Sequence, residues 1–150
     1  MRRPGWIAPL ALTALAGFTA GAQVSLSGPR LHYVLHCQGC HLQDGRETPG
    51  SVPALAGLGL FLQVPEGRAY LVRVPGVANA PLDDAELAAL LNWVVAEFGG
   101  KQTPRSWLRY TAAEVARQRH RPLLDVEKTR AALLRGAGVV PESRATGEGR

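Results

Sequence analysis

The chain is 150 residues long, carries a formal net charge of +5, and is 46% hydrophobic but only 6% aromatic. Such a length speaks against more than one ordinary domain once a leader is removed. So few aromatic rings leave part of the core to be filled by something else. The charge is uneven. From Gln23 to Gly100 four basic residues (Arg30, Arg46, Arg68, Arg73) face seven acidic ones, whereas from Lys101 onward eleven basic residues face five acidic. A basic C-terminal part is either a docking surface for an acidic partner or a solvated helix face.

Arg2 and Arg3, the mostly apolar run Trp6 to Phe18, and then Ala20-Gly21-Ala22 have the form of an export signal cleaved after residue 22. The apolar run is short and broken by Pro9. It makes a poor membrane span, which needs about 20 residues. The paired arginines suggest twin-arginine export, but Pro4-Gly5 follow them where that signal wants other residues. General secretion to a bacterial periplasm is the expected route, with no membrane span after cleavage and no nucleic acid as partner.

Leu31 to Cys40 is helix-compatible and runs into Cys37-Gln38-Gly39-Cys40-His41, which holds both cysteines of the chain. C-x-x-C-H is the pattern of covalent c-type haem attachment. On a helical turn, cysteines at i and i+3 share a face. Both thiols can then reach the two vinyl groups along one haem edge, while the adjacent His41 offers an imidazole nitrogen to the iron. A redox dithiol would expect a thioredoxin-like βαβ setting, which is absent. A structural zinc wants four N or S ligands, and there is no second cysteine pair. A bare disulfide leaves the histidine unexplained. A buried haem would also fill the core that the scarce aromatic residues leave open, and its attachment outside the cytoplasm agrees with the leader.

Asp44-Gly45 and Thr48-Pro49-Gly50 signal turns. Pro65-Glu66-Gly67 precedes a short helix predicted over Arg68 to Val74 and closed by Pro75-Gly76. The best-specified helix opens at Asp83, with Glu86 completing a capping box. Leu87, Leu90, Leu91, Val94, Val95 and Phe98 form one apolar stripe along it, and Gly99-Gly100 ends it. Thr111 with Glu114 predicts a second capping box and a helix reaching about His120, before Pro122. Asp125 can cap a last helix, Val126 to Arg135, closed by Gly136, and residues 141–150 have the composition of a disordered tail. No run alternates with period two, so the expected class is all-α. Residues 23–100 would form the haem domain and 101–140 a basic helical extension.

In order and content, Leu31 to Phe98 resembles a small class I cytochrome c domain: a helix entering C-x-x-C-H, an irregular loop, a short middle helix and a longer last helix. Val52-Pro53-Ala54-Leu55-Ala56-Gly57 is similar to the family's P-x-L-x-G element. The resemblance implies one haem c held through Cys37 and Cys40 with His41 as the proximal ligand. It also implies that the Pro53 carbonyl accepts a hydrogen bond from the other nitrogen of His41 and holds its metal-binding tautomer. The stretch Tyr70 to Trp93 resembles a distinct subgroup. The basic C-terminal portion lies outside the resemblance.

Such cytochromes usually bring a methionine to the iron from the loop before the last helix. Here that loop, Pro75 to Pro81, has none, and the only methionine of the chain is Met1, in the leader. Candidates for the sixth position are His120, within Arg119-His120-Arg121, and His32 or His36, which would have to fold back from the entering helix. The remaining one is an open or water-occupied site, with Asn79 able to hydrogen-bond a bound ligand. Loss of an axial methionine implies a lower potential. Arg68 and Arg73 are offered to the haem propionates, and Trp93 to packing near the haem.

The expected function is electron transfer in the periplasm by a haem cycling between Fe(II) and Fe(III), with a redox partner such as a periplasmic dehydrogenase or another cytochrome. Two alternatives stay open. One is a haem subunit of a larger oxidoreductase, clamped to its partner by the basic extension. The other is a ligand-binding or peroxidase-like protein using an open sixth position, although no residue declares itself as a distal acid–base group.

Overall fold

Helix α5, Asp84–Phe98, is the element on which the others rest. Its start follows the expected capping box: the Asp83 carboxylate accepts from the Glu86 amide at 2.8 Å, and the Glu86 carboxylate accepts from the Asp83 amide at 2.9 Å. Two acidic residues in the first turn, Asp84 and Glu86, favour the positive end of the helix dipole. Leu87, Leu90, Leu91, Val94 and Val95 are buried as the stripe requires, but so are Ala88 and Asn92. The helix is therefore covered on two sides.

A computed structural model describes residues 28–48 and 52–139 of the chain. The expected leader, 1–22, and the tail, 141–150, lie outside the described residues, as does part of the turn around Pro49. Among the described residues there is no strand, and no helix is long and apolar enough to cross a membrane.

On one side of α5 lies α1, Pro29–His36, with Pro29 in the first turn, where a missing N–H costs nothing. Tyr33 is buried against Trp93 and Phe98, ring centroids 5.2 and 5.3 Å away. The helix-compatible stretch 31–40 is helical in two pieces: α1 ends at His36, capped by Cys37, and the chain resumes as one turn, α2, Gln38–His41. A 3-10 helix over Leu58–Gln63, which no hydrophobic period announces, crosses the C-terminal end of α5. It comes close enough for the Gly57 and Gly59 amides to donate to the carbonyls of Phe98 and Gly99, at 3.0 and 3.2 Å. A Cβ on Gly59 would run into the Gly99 carbonyl and Thr103, so the approach needs glycine.

The middle of the chain forms α3, Gly67–Arg73, and α4, Pro75–Ala78. Pro75 thus opens a second short helix as well as closing the first.

Residues 101–139 fold back over the rest. The cap expected at Thr111 is present, its hydroxyl accepting from the Glu114 amide at 3.2 Å, and α6 runs Ala112–Arg119. The Glu114 carboxylate, however, binds Arg68 of α3, at 2.9 and 2.8 Å. Asp125 caps α7, Val126–Gly136, accepting from the Lys128 amide at 2.9 Å. Helix α6 packs on α5, α3 and α4, and α7 packs on α3. Tyr110 and Val115 join the same buried cluster as Leu87 and Tyr33.

Candidate haem site

The turn α2 is positioned from below by Tyr33. Its hydroxyl donates to the carbonyl of Leu42 at 2.5 Å and lies 3.3 Å from that of His41. Leu42 has φ of 53°, a left-handed conformation uncommon for a non-glycine residue. Holding its carbonyl stabilises the sharp exit of the chain just after His41. Burial pushes the Tyr33 phenol up to about 12, so it stays a donor through neutral pH.

Cys37 is half-buried against the core and Cys40 is exposed, and the two thiols are not bonded to each other. Burial first, and the neighbouring Cys40 second, push the Cys37 thiol up to about 11. Among the described residues no three His, Cys, Asp or Glu side chains converge on a point.

His41 faces a cavity of about 430 Å³, within the range of roughly 300–1,000 Å³ usual for ligand sites. Pro53 and Leu55 form one wall, the 3-10 helix a second, α3 and α4 a third (Tyr70, Leu71, Val74, Val77) and α5 a fourth (Leu91, Val94, Val95). Burial lowers the His41 imidazole below its ordinary value, and the Pro53 carbonyl facing it offsets part of this. The contact falls short of a closed hydrogen bond, since the buried Nδ1 has no partner. A neutral imidazole with an orphaned buried nitrogen at the edge of an apolar cavity, beside two thiols, is a donor set and a shape that fit haem.

Other expected residues lie elsewhere. Arg68 is taken up by Glu114, by the Leu108 carbonyl at 2.6 Å, and by the ring of Tyr110 at 4.2 Å, so it is not free for propionates. Arg73 donates to the Arg121 carbonyl at 2.7 Å. Trp93 sits with Tyr33 and Phe98 between α1 and α5 and is not among the cavity walls. His120 and Asn79 are exposed and do not line the cavity. His36 is exposed, and the half-buried His32 stacks on it at 6.2 Å.

The cavity instead receives side chains that sequence reasoning passed over. Tyr70, Gln102 and Arg130 are its polar groups besides His41. Arg130, from α7, lies 5.1 Å from the centre of the Phe61 ring. Burial raises the Tyr70 phenol, and the nearby Arg130 guanidinium opposes the shift. Leu134 and Val139 close the same side. For Arg130 and Leu134 the one signal is the apolar spacing of Val126, Leu133 and Leu134 on α7, which marks a packed face that also carries Arg130 without saying against what it packs.

No family model matches the chain. It is 33% identical over 106 residues to cytochrome c-552 of Thermus thermophilus, an alignment covering 58% of this chain and 81% of that protein. A second cytochrome c-552, from one particular strain of the same species, is also 33% identical over 106 residues, covering 58% of this chain and 72% of the relative. The helical fold, without strands among the described residues, agrees with that kinship. A chain that aligns with so much of a cytochrome c, and that turns its C-x-x-C-H histidine toward an apolar cavity, belongs to the class I c-type cytochromes.

Proposed function

We propose that this chain is a periplasmic electron-transfer protein with one haem c, attached through Cys37 and Cys40 and ligated by His41. When bound, haem c supplies a one-electron Fe(II)/Fe(III) couple. The chain's own part is to hold it. The thiol hydrogens and sulfurs of Cys37 and Cys40 add across two vinyl groups, Tyr33 fixes the turn that carries them, and Pro53 orients the imidazole through its buried Nδ1. The observation that carries this reading is the apolar cavity bordered by His41 and Pro53 directly beside the C-x-x-C-H turn. Its partner is a redox protein, such as a periplasmic dehydrogenase or another cytochrome, docking on charges that include the exposed Lys101, Arg105, Arg109 and Arg117. The test is the mass and pyridine spectrum of protein matured in a bacterial periplasm. One haem retained after denaturation, and lost in Cys37→Ser with Cys40→Ser, is the expected result; a protein without covalent haem overturns it.

A second reading is favoured by one specific observation: among the described residues the cavity walls carry no methionine and no histidine besides His41. An iron left open on its sixth side would bind small ligands and sit at a lower potential than a methionine-ligated one. Adding carbon monoxide to the reduced protein separates the two. Ready binding supports ligand chemistry, and a low-spin spectrum that carbon monoxide leaves unchanged supports plain electron transfer.

A further inference from the structure

Ala78, the last residue of α4, and Ala80 and Leu82 of the loop before α5 are buried, whereas Asn79 and Pro81 between them are exposed. The Ala80 carbonyl accepts from the Leu82 amide at 2.8 Å, and those of Ala78 and Leu82 have no backbone donor among the described residues. All three carbonyls converge on one guanidinium, that of Arg119 at the end of α6. Arg119 Nη1 donates to the Leu82 carbonyl at 2.8 Å and to the Asp84 carboxylate at 3.0 Å. Nη2 donates to the Ala80 carbonyl at 2.8 Å, and Nη2 and Nε both reach the Ala78 carbonyl at 3.4 Å. The side chain is only 12% exposed. A second pair of bonds fastens the adjoining segment: Leu123 donates to the Arg73 carbonyl at 2.9 Å, and Arg73 Nε to that of Arg121 at 2.7 Å. Between these two fastenings lie Val74 and Val77, which form one wall of the cavity.

We infer that Arg119 is a positioning residue that latches this wall and so limits the access of small exogenous ligands to the haem iron. The inference rests on the proposed haem site. Arginine suits the task because its planar fork can serve several carbonyls and a carboxylate at once, which the single ammonium of lysine cannot. The Ala78 and Leu82 carbonyls have no other partner among the described residues if it is removed, so the loop would open to find water. Because the latch comes from the extension, the extension governs the wall without itself forming it.

The test compares haem-loaded wild type, Arg119→Gln, Arg119→Lys and Asp84→Asn. Two readouts are used: the association rate of carbon monoxide with the reduced protein, and amide exchange at Ala80 and Leu82. Those amides donate within the loop, to Val77 and Ala80, at 3.1 and 2.8 Å. In Arg119→Gln both processes are expected to accelerate by at least about tenfold, the factor equivalent to one lost charge-assisted hydrogen bond. Amides of α5 should be unaffected. Arg119→Lys should fall between, and Asp84→Asn, which removes one partner of four, should move both readouts in the same direction by less. That milder variant serves if Arg119→Gln fails to fold. A lower melting temperature alone decides nothing, since any structural role produces it. Carbon monoxide binding at the wild-type rate in a variant whose loop amides exchange faster overturns the latch, as does unchanged exchange. Binding in none of the proteins overturns it too, since the iron would then be closed by a protein ligand. Absence of covalent haem from the wild type would instead be a failure of the underlying reading.

Discussion

Helix α5 is flanked by α1 and α6, and the two are attached to it by different kinds of contact. On the α1 side the contact is made of rings: Tyr33 between Trp93 and Phe98, with Trp93 edge-on to Phe98 at 5.7 Å. On the α6 side Val115 and Tyr110 are buried, but much of the register is set by polar bonds. Asn92 donates to the Tyr110 carbonyl at 3.0 Å and accepts from its amide at 2.7 Å, Arg68 pairs with Glu114, and Arg119 gathers the loop before α5. Apolar contact is strong and tolerant of small shifts, whereas buried hydrogen bonds are directional and costly when broken. The difference teaches that the N-terminal part is held mainly by burial, and that the extension is docked at one place by partners that only its folded position supplies.

The largest effect should come from cutting what both sides share. Leu87 is fully buried, and Leu87→Ala is expected to cost about 2–5 kcal/mol. Urea unfolding should remain a single transition, because Tyr110 and Val115 belong to the same cluster. Two separated transitions would break the idea of one core under both flanks. Next comes the α6 side alone. Asn92→Ala leaves the buried amide and carbonyl of Tyr110 unpartnered, an expected loss of about 2–3 kcal/mol. Amide exchange should accelerate in α6 well before α1, and equal acceleration in both would argue against separate attachment.

A smaller effect is expected on the α1 side. Tyr33→Phe keeps the ring packing but loses the bond to Leu42, at a cost of about 1 kcal/mol. Its pH dependence sharpens the point. The Tyr33 phenol is raised from 10.0 to about 12 in the folded protein, so its contribution is fully present below pH 10 and is lost as pH rises toward 12. Alkaline unfolding should therefore be shallower in Tyr33→Phe than in the wild type, and identical pH profiles would contradict the assignment. Smallest is the cap of α6. Thr111→Ala should lower stability by about 0.5 kcal/mol, the low end for loss of an N-cap at an exposed residue, measured by denaturation. Since the Glu114 side chain serves Arg68 and not the cap, Glu114→Gln in the Thr111→Ala background should have nearly its full effect. Strong non-additivity would show that the two act as one unit.

Much of the candidate site was legible because its parts are neighbours in the chain. Cys37, Cys40 and His41 lie on or beside one turn, and Pro53 follows at a spacing that a family resemblance recognises. Asp83, Thr111 and Asp125 were legible as caps for the same reason: a side chain bonding an amide three residues on needs only local geometry. The helix-compatible stretch 31–40 is helical, as α1 and the single turn α2 with Cys37 between them. Arg68 was offered to the haem from its residue type alone, and its actual partner is 46 residues away. His120 was offered because the basic stretch that carries it could fold over the haem, yet His120 is exposed and it is Arg119 that points inward.

The sequence by itself determined the class and put the candidate chemistry in one place: two thiols and an imidazole on or beside one turn, a helical apolar period, and capping residues that start three of the helices. Each depends on residues within a few positions of one another, where backbone geometry leaves little freedom. Only the tertiary structure decided that the basic extension packs on its own domain, that Arg130 and Tyr70 face the cavity, and that Arg119 ties down a loop about 40 residues earlier in the chain. Contacts at such separation are chosen by which folded surfaces leave carbonyls and rings without partners, and that is a property of the assembled core rather than of any local stretch.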